Sequence, residues 1–363
     1  MSLALSPLKP RWTPAGQWHR LRRAWFNSTA NTIISLVVLL ALAWVVAHVL
    51  SWALWDATWT GTGQDCQARG GACWAFVSAN LRLMLFGTYP GSLLWRPVLS
   101  LVLLVALVAV SMVPRAWSRT LGIAWVATPL AVCLLLGGFG GDRQVSTNDW
   151  GGLPLTLLIW TIAYALSFIV AVPLALARRS RMGGLRLASV GTIELIRGVP
   201  MLVTLYVSRF IVPMMLPGFE INLFFSIEAA LVFFVASYLA EILRAGIQSL
   251  PAGQSEAARA LGLSYAQTVR LIILPQALRA VIPALVNLGI GLLLSTPLVA
   301  VIGMTDFLSA VKEAASHEQD WPGCYTVAYC FAALVFFGIC FSASRYSLWL
   351  EKKLKGAGKK AAT

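Results

Sequence analysis

Few side chains in this 363-residue sequence can do chemistry, and their spacing points to ion pairing and docking rather than to bond making. Residues 255–263 read SEAARALGL. Glu256 there offers a carboxylate to a charged partner, and Ala257, Ala258 and Ala260 are small enough to let another surface approach closely. Glu241 and Arg244 stand three apart, as do Glu194 and Arg197, a spacing that pairs charges along a helix face. Asn287, Ser295 and Thr296 lie in an apolar stretch that Pro275, Pro283, Gly289, Gly291 and Pro297 are expected to break, where they face either a substrate's ammonium or carboxylate or the freed carbonyls of their own helix. A phosphate-binding Gly-x4-Gly-Lys-Ser/Thr loop is absent, so the chain carries no site for ATP hydrolysis. No HExxH and no CxxC occur, and His19, His48 and His317 are far apart, which argues against a metal site.

The elements that must position these residues belong to a bilayer. The chain is 58% hydrophobic and 12% charged, whereas a soluble domain carries about a quarter charged residues. Its mean hydropathy is +0.76. The run IISLVVLLALAWVVAHVL (33–50) has the length of a bilayer crossing. It begins behind Lys9, Arg11, Arg20, Arg22 and Arg23 and is longer than a cleaved signal's core, so it reads as a span. Alternating ten-residue strands are absent, which leaves helices as the solution to backbone hydrogen bonding in lipid. The chain is therefore an all-α polytopic membrane protein. Eight spans are expected, at about 33–54, 98–114, 120–137, 153–177, 187–216, 223–244, 271–302 and 325–346. With a cytoplasmic N-terminus, all 28 Lys and Arg fall inside except Arg69, Arg82, Arg96, Arg143, Arg209 and Lys312. That bias predicts both termini in the cytoplasm. The net charge of +14 is then a matter of topology and not of nucleic-acid binding.

Three regions follow. Residues 1–150 hold the N-terminal tail, three spans and a long outer loop of about 56–97. Residues 151–350 hold five spans and most of the polar punctuation. Residues 351–363 form a basic cytoplasmic tail. Cys66 and Cys73 share the outer loop. On the oxidising side of the membrane they either pair across it or remain as two thiols. Cys133, Cys330 and Cys340 lie in apolar spans as packing residues, and Glu228 is an interface residue near the outer surface.

The connection after the sixth span writes helix, stop, helix. Pro251 suits a helix start, Gly262 suits the left-handed residue that ends one, and Ser264 with Gln267 has capping-box spacing. The enclosed helix, about 251–263, is too short and polar to cross a membrane. A helix resting on headgroups carries bulky apolar residues and lysines. This one carries alanines, which favours docking.

Glu256, Ala257, Ala258, three residues, Gly262, nine residues, then Ile272, Leu274 and Pro275 resembles the EAA signature of permease subunits in bacterial ABC importers. GTIELIRGVPMLVTL (191–205) and SYLAEILRAGIQSLPAGQ (237–254) resemble the polar amino acid group. CWAFVSANLRLMLFGTYPGSLLWRP, DWGGLPLTLLI and SRYSLWLEKKL look like the larger subunit of general L-amino acid importers. The resemblance implies a type I importer fold, a five-helix core with three added N-terminal helices, in the bacterial inner membrane. It also implies an ABC ATPase dimer that binds ATP and Mg, a second homologous permease, and a periplasmic amino-acid-binding protein; the acidic 305–321 loop is either a surface for that protein or simply a helix facing solvent. ATPase coupling then falls to Glu256, Ala257, Ala258, Gly262, Leu274 and Pro275. The chain departs from the family at Leu294-Ser295-Thr296-Pro297, where relatives commonly have Lys-Asp-Thr-Ser. An independent secondary transporter or channel is the competing reading. It requires ion-coupling acids or an inverted repeat in the membrane, and neither is evident.

Overall fold

The computed structural model describes residues 25–139, 143–216, 218, 221–316 and 320–360. The basic residues from Lys9 to Arg23, together with His19 and His317, lie outside them. The described residues are helical and contain no strand, only two isolated bridges. One compact unit ends at Phe76 and a second begins at Val77.

In the first unit, α1 (Thr29–Trp55) starts at Ser28, whose Oγ accepts the Asn31 amide at 3.2 Å. None of its 22 residues through Leu50 is buried within the chain. A uniformly apolar helix of that kind is suited to lipid on all sides. The loop after it is ordered in part by a helix that its polar residues cap. Thr62 and Asp65 form a capping box at the start of α2 (Gly63–Arg69), and Gly70 ends that helix at φ +67°. The outer loop also contains α3 (Trp74–Phe86).

In the second unit, α4 (Trp95–Ser111) and α5 (Arg119–Gly137) pack together around a short turn at Pro114–Ala116. The core is built on α6 (Gly152–Ala177) and α9 (Leu223–Gln248), which make the most extensive helix contact in the molecule. Small residues at the seam, Ala171, Ala175, Ala236 and Ala240, are fully buried with Ile193, Leu239 and Leu243. Lipid gives no hydrophobic drive between helices, so close approach through small residues supplies the van der Waals contact instead. Gly246 shows how close that approach is. A Cβ there would stand 2.7 Å from Val281 Cγ1 and 3.0 Å from the Ala277 carbonyl oxygen on α11 (Tyr265–Ile302). The remaining helices are α7 (Gly183–Arg197), α8 (Met201–Met215), α10 (Gly253–Ala260), α12 (Phe307–Ala315) and α13 (Tyr325–Lys360).

Three expectations change. Among the described residues six helices are long and apolar enough to cross a membrane, or seven if α7 and α8 count as one broken span, rather than eight. The difference is α4, whose 17 residues reach about 25 Å against a ~30 Å hydrocarbon core. The fifth expected span, 187–216, is bent by 105° between α7 and α8. The cause is Gly198-Val199-Pro200: Pro200 lacks an amide and pushes Val199 out of helical geometry. The seventh is continuous through Pro283, Gly289 and Gly291, with helix from Leu274 to Ser295. Its irregular turns lie at the two ends, a wide π turn at Val269–Ile273 and a tight 3-10 turn at Thr296–Ile302. The wide turn precedes Pro275. There the Leu274 amide bonds the Val269 carbonyl, giving the proline ring room that a regular α turn denies it.

Candidate functional site

The sequence around Glu256 folds as its punctuation suggests, and both ends of α10 are closed by local hydrogen bonds. Pro251 lies just outside, with its carbonyl accepting the Gln254 amide at 3.1 Å. At the other end Gly262 takes φ +74°. The Gly262 amide bonds the Arg259 carbonyl at 2.9 Å and the Leu263 amide bonds the Ala258 carbonyl at 3.1 Å. That is the paired-bond motif by which a left-handed glycine terminates a helix. One residue later the Ser264 amide donates to Gln267 Oε1 at 2.8 Å, and the Gln267 amide donates to Ser264 Oγ at 3.3 Å. Two caps back to back hold the chain in a defined corner.

The helix is fastened to the core on one side only. Ala258 is buried at 1% exposure, and Gln276 Nε2 donates to Gln254 Oε1 at 3.2 Å. Beneath lies an apolar cluster of Ile247, Ile273 and Ala277 with Leu250 and Ile272 packed against it. Glu256, Ala257, Arg259, Ala260 and Gly262 remain exposed. Leu261 and Tyr265 are 78% and 70% exposed. Leu274 is half-buried and Pro275 exposed where α11 returns to regular α geometry after its wide turn. A cavity of about 1140 Å³ opens between α10 and the end of α6, with Arg179, Arg181, Glu256 and Arg259 among its charged walls.

The charged pairs beside this corner form a wider network than the spacing indicated. Glu241 and Arg244 do pair. Glu194 instead bonds Arg178 at 3.0 Å, and Arg178 also reaches Glu241 at 3.1 Å. Arg197 turns away from Glu194 and places its guanidinium 5.2 Å from the Tyr238 ring centroid. The i,i+3 pairing expected for Glu194 and Arg197 is thus replaced by a bond between helices, because Arg178 at the end of α6 comes closer. Arg178 joins the ends of α6, α7 and α9. It was missed in sequence because its partners are 16 and 63 positions away, and its one local signal is that it is the first charge after a long apolar run.

The hydrogen-bonding residues of α11 are not gathered into a pocket. Asn287 is exposed. Ser295 Oγ donates to the Gly291 carbonyl at 2.8 Å, and Thr296, fully buried, donates to the Leu293 carbonyl at 2.8 Å. Two aromatic residues that sequence reading passed over join α6 to this helix. Trp160 Nε1 donates to the Gly289 carbonyl at 2.7 Å, and Tyr164 Oη donates to the Leu285 carbonyl at 2.9 Å. Their rings stack 5.9 Å apart. The four-residue spacing of Trp160, Tyr164 and Phe168 was the available signal.

At the opposite end, three chain segments meet tightly. Gly152 adopts φ +68° where a Cβ would come within 2.1 Å of the Leu85 carbonyl oxygen. Its amide bonds the Thr305 carbonyl at 3.1 Å, and the Phe307 amide donates to Thr156 Oγ1 at 2.8 Å. Asp306 caps α12 through the Leu308 and Ser309 amides. Tyr89 Oη donates to the Leu136 carbonyl at 2.7 Å, and burial raises its pKa above the ordinary phenol value. The Thr62 amide and hydroxyl hold the Asp65 carboxyl below the usual carboxylate range. Cys66 and Cys73 are joined by a disulfide, with Cα atoms 5.4 Å apart. Glu228 is 5% exposed, and neither of its carboxyl oxygens has a hydrogen-bond partner among the described residues.

A family model described as the inner membrane component of binding-protein-dependent transport systems matches residues 163–356. The chain is 39% identical over 342 residues to the inner membrane amino-acid ABC transporter permease protein YhdY of Escherichia coli (strain K12), covering 92% of each. It is 32% identical over 421 aligned positions to the glutamate/glutamine/aspartate/asparagine transport system permease protein BztC of Rhodobacter capsulatus, covering 96% of each. Among solved structures it is similar to a chain of an amino acid ABC transporter crystallised with histidines. That match is 32% identical, covers 56% of this chain and 92% of that one, and has a TM-score of 0.49.

Proposed function

Because this chain belongs to the family of binding-protein-dependent transport system inner membrane components, we propose that it is the permease subunit of an ATP-driven importer of polar amino acids. The capped α10 corner carries the reading. It presents Glu256, Ala257 and Ala260 to solvent while Ala258, Gln254 and Gln276 bind it to the core. A helix capped at both ends and fastened on one face moves as a unit with the membrane helix it precedes. A separate ATPase dimer, which holds ATP and Mg, grips the exposed face. Its closure is passed through Leu274 and Pro275 into α11.

The chain itself forms no bonds in this scheme. It forms half of a path that opens alternately to the two sides of the inner membrane, with a second homologous permease as the other half. Both termini are cytoplasmic, and a periplasmic amino-acid-binding protein delivers the substrate at the α12 end. Names of relatives such as BztC support dicarboxylic amino acids and their amides as the substrate class. Asn287 and Ser295 line the path on this side. The segment Leu294-Ser295-Thr296-Pro297 offers hydroxyls and no charge. Charges kept at a helix centre cost about 3 kcal/mol and mark sites of use. The partner permease therefore supplies the charged contacts to the amino acid.

Glu256→Lys tests the coupling assignment. The variant is expected to insert at normal levels but to lose co-purifying ATPase and ATP-driven uptake in proteoliposomes. Unchanged ATPase binding and uptake would refute it.

A further inference from the structure

The cavity beside α10 combines walls of unlike chemistry. It measures about 1140 Å³, slightly more than the roughly 300–1,000 Å³ usual for ligand pockets. Part of its wall is apolar, with Leu176, Ile247 and Ile273 from three membrane helices. Thr268 lines it too. That residue is 6% exposed, and its Oγ1 has no hydrogen-bond partner among the described residues. A buried hydroxyl left unpaired is unfavourable, and most such groups find a partner. Arg179, Arg181 and Arg259 line the same cavity and are exposed.

Those three arginines share the cavity with a single acid, Glu256. Glu256 and Arg259 stand three apart on α10 yet do not pair. Arg259 Nε donates instead to the Ser255 carbonyl at 3.2 Å. Arg179 and Arg181 make no ion pair among the described residues. Their neighbour Arg178 takes Glu194 and Glu241, which leaves those two carboxylates engaged. The positive-inside bias accounts for arginines on this side of the membrane. It does not account for their sharing a cavity with an unpaired buried hydroxyl.

We propose that this cavity receives an acidic segment of the ATPase. Separate carboxylates of that segment pair with the arginines, and a further side chain enters deeper and accepts the Thr268 hydroxyl. A cavity of this volume holds several side chains, so no single group has to reach every partner. The proposal rests on the reading of α10 as the ATPase-coupling helix. Whatever grips α10 also covers the cavity, because Glu256 and Arg259 belong to both surfaces. Charge selects the kind of segment. An acidic one is steered to this surface and held in register, whereas a basic one is repelled. Thr268 immediately precedes the wide turn of α11 at Val269–Ile273. A segment bonded there acts on α11 directly, in addition to its hold on α10.

The test uses the permease assembly in nanodiscs, titrated with the ATPase that co-purifies with the wild-type chain. Arg179→Gln/Arg181→Gln is expected to weaken ATPase binding about fivefold, as for two exposed ion pairs, and to make the affinity less dependent on salt. Thr268→Val is expected to weaken it about tenfold, as for a hydrogen bond to a charged group, without lowering the melting temperature of the permease alone. Arg179→Lys/Arg181→Lys should bind as wild type does. Its new amines should be joined by a zero-length carbodiimide to Asp or Glu residues of the ATPase, located by mass spectrometry. No such crosslink in an intact complex, or a double-glutamine variant with wild-type affinity and salt dependence, overturns the proposal. So does a double-glutamine variant that binds the ATPase normally but loses retained phosphatidylglycerol in native mass spectrometry, since the cavity would then hold a lipid headgroup. Glu256→Lys separates the two readings. If it detaches the ATPase while the arginine and threonine variants bind normally, only this inference fails. If no ATPase co-purifies, or Glu256→Lys leaves binding unchanged, the coupling assignment fails and this proposal with it.

Discussion

Gly262 is where the coupling proposal can be tested by backbone conformation alone. Its φ of +74° requires the left-handed region, yet a Cβ built there meets nothing within 4 Å. Gly262→Ala therefore introduces strain without a clash. For an L residue the left-handed conformation costs roughly 1–2 kcal/mol. Unwinding the end of α10 instead would forfeit two backbone hydrogen bonds, each worth about 1 kcal/mol net. The two routes cost about the same, so destabilisation of the corner should fall near 1–2 kcal/mol whichever the chain takes. At ~1.4 kcal/mol per factor of ten, opening of that turn becomes roughly 5- to 30-fold more frequent. Hydrogen exchange at the Gly262 and Leu263 amides should accelerate by that factor, with exchange in α9 unchanged. ATP-driven uptake should drop while membrane insertion holds. Gly262→Asn should recover most of the loss, because asparagine tolerates the left-handed region. Gly338→Ala, an exposed helical position in α13 with nothing within 4 Å of the new Cβ, is the control expected to be silent. If Gly262→Ala leaves exchange unaltered, or if Asn and Ala behave alike, the corner is not held by this glycine and the argument fails.

Three further outcomes are expected. Gly246→Ala should destabilise the α9–α11 contact by about 1–3 kcal/mol, the usual cost of overpacking, read as a fall in the melting temperature of the detergent-solubilised protein; Val281→Ala in the same chain should restore part of it by removing the methyl 2.7 Å away, while the Ala277 carbonyl oxygen at 3.0 Å remains. Arg178→Gln should cost roughly 1–2 kcal/mol, because Glu241 loses one of two cations while Glu194 is already 56% exposed; a double-mutant cycle with Glu241→Gln should show coupling rather than additivity. Asp65 is held below its ordinary pKa in the folded state. Its contribution to α2 is therefore complete above the ordinary carboxylate value of ~3.9 and lost as pH falls through the depressed one. Amide exchange in α2, corrected for the intrinsic pH dependence, should be flat from pH 5 to 8 and rise only in stronger acid, and Asp65→Asn should abolish that acid response.

Much of this protein is legible in one dimension, because the bilayer and the backbone impose local rules. Apolar run length places the membrane helices. Lipid leaves unpaired backbone groups so costly that a long apolar segment must be helical. The α10 corner is equally local: Pro251, Gly262, Ser264 and Gln267 act within three or four residues, so their types and spacing suffice to announce it. What sequence could not supply is whatever depends on which helices meet. Pro283, Gly289 and Gly291 look like breaks, yet the helix runs through all three and bends its hydrogen bonding at Val269–Ile273 and Thr296–Ile302 instead. Glu194 and Arg197 have ideal spacing for each other, yet Glu194 takes Arg178 and Arg197 takes the Tyr238 ring. The intrahelical pair is weak, about 0.2–0.5 kcal/mol, so a nearer partner from another helix displaces it. Sequence alone determined that the chain crosses a membrane and carries a short polar helix closed at both ends. The tertiary structure decided which charges, aromatic rings and carbonyls hold that helix's neighbours in place, because those contacts join residues that only packing brings together.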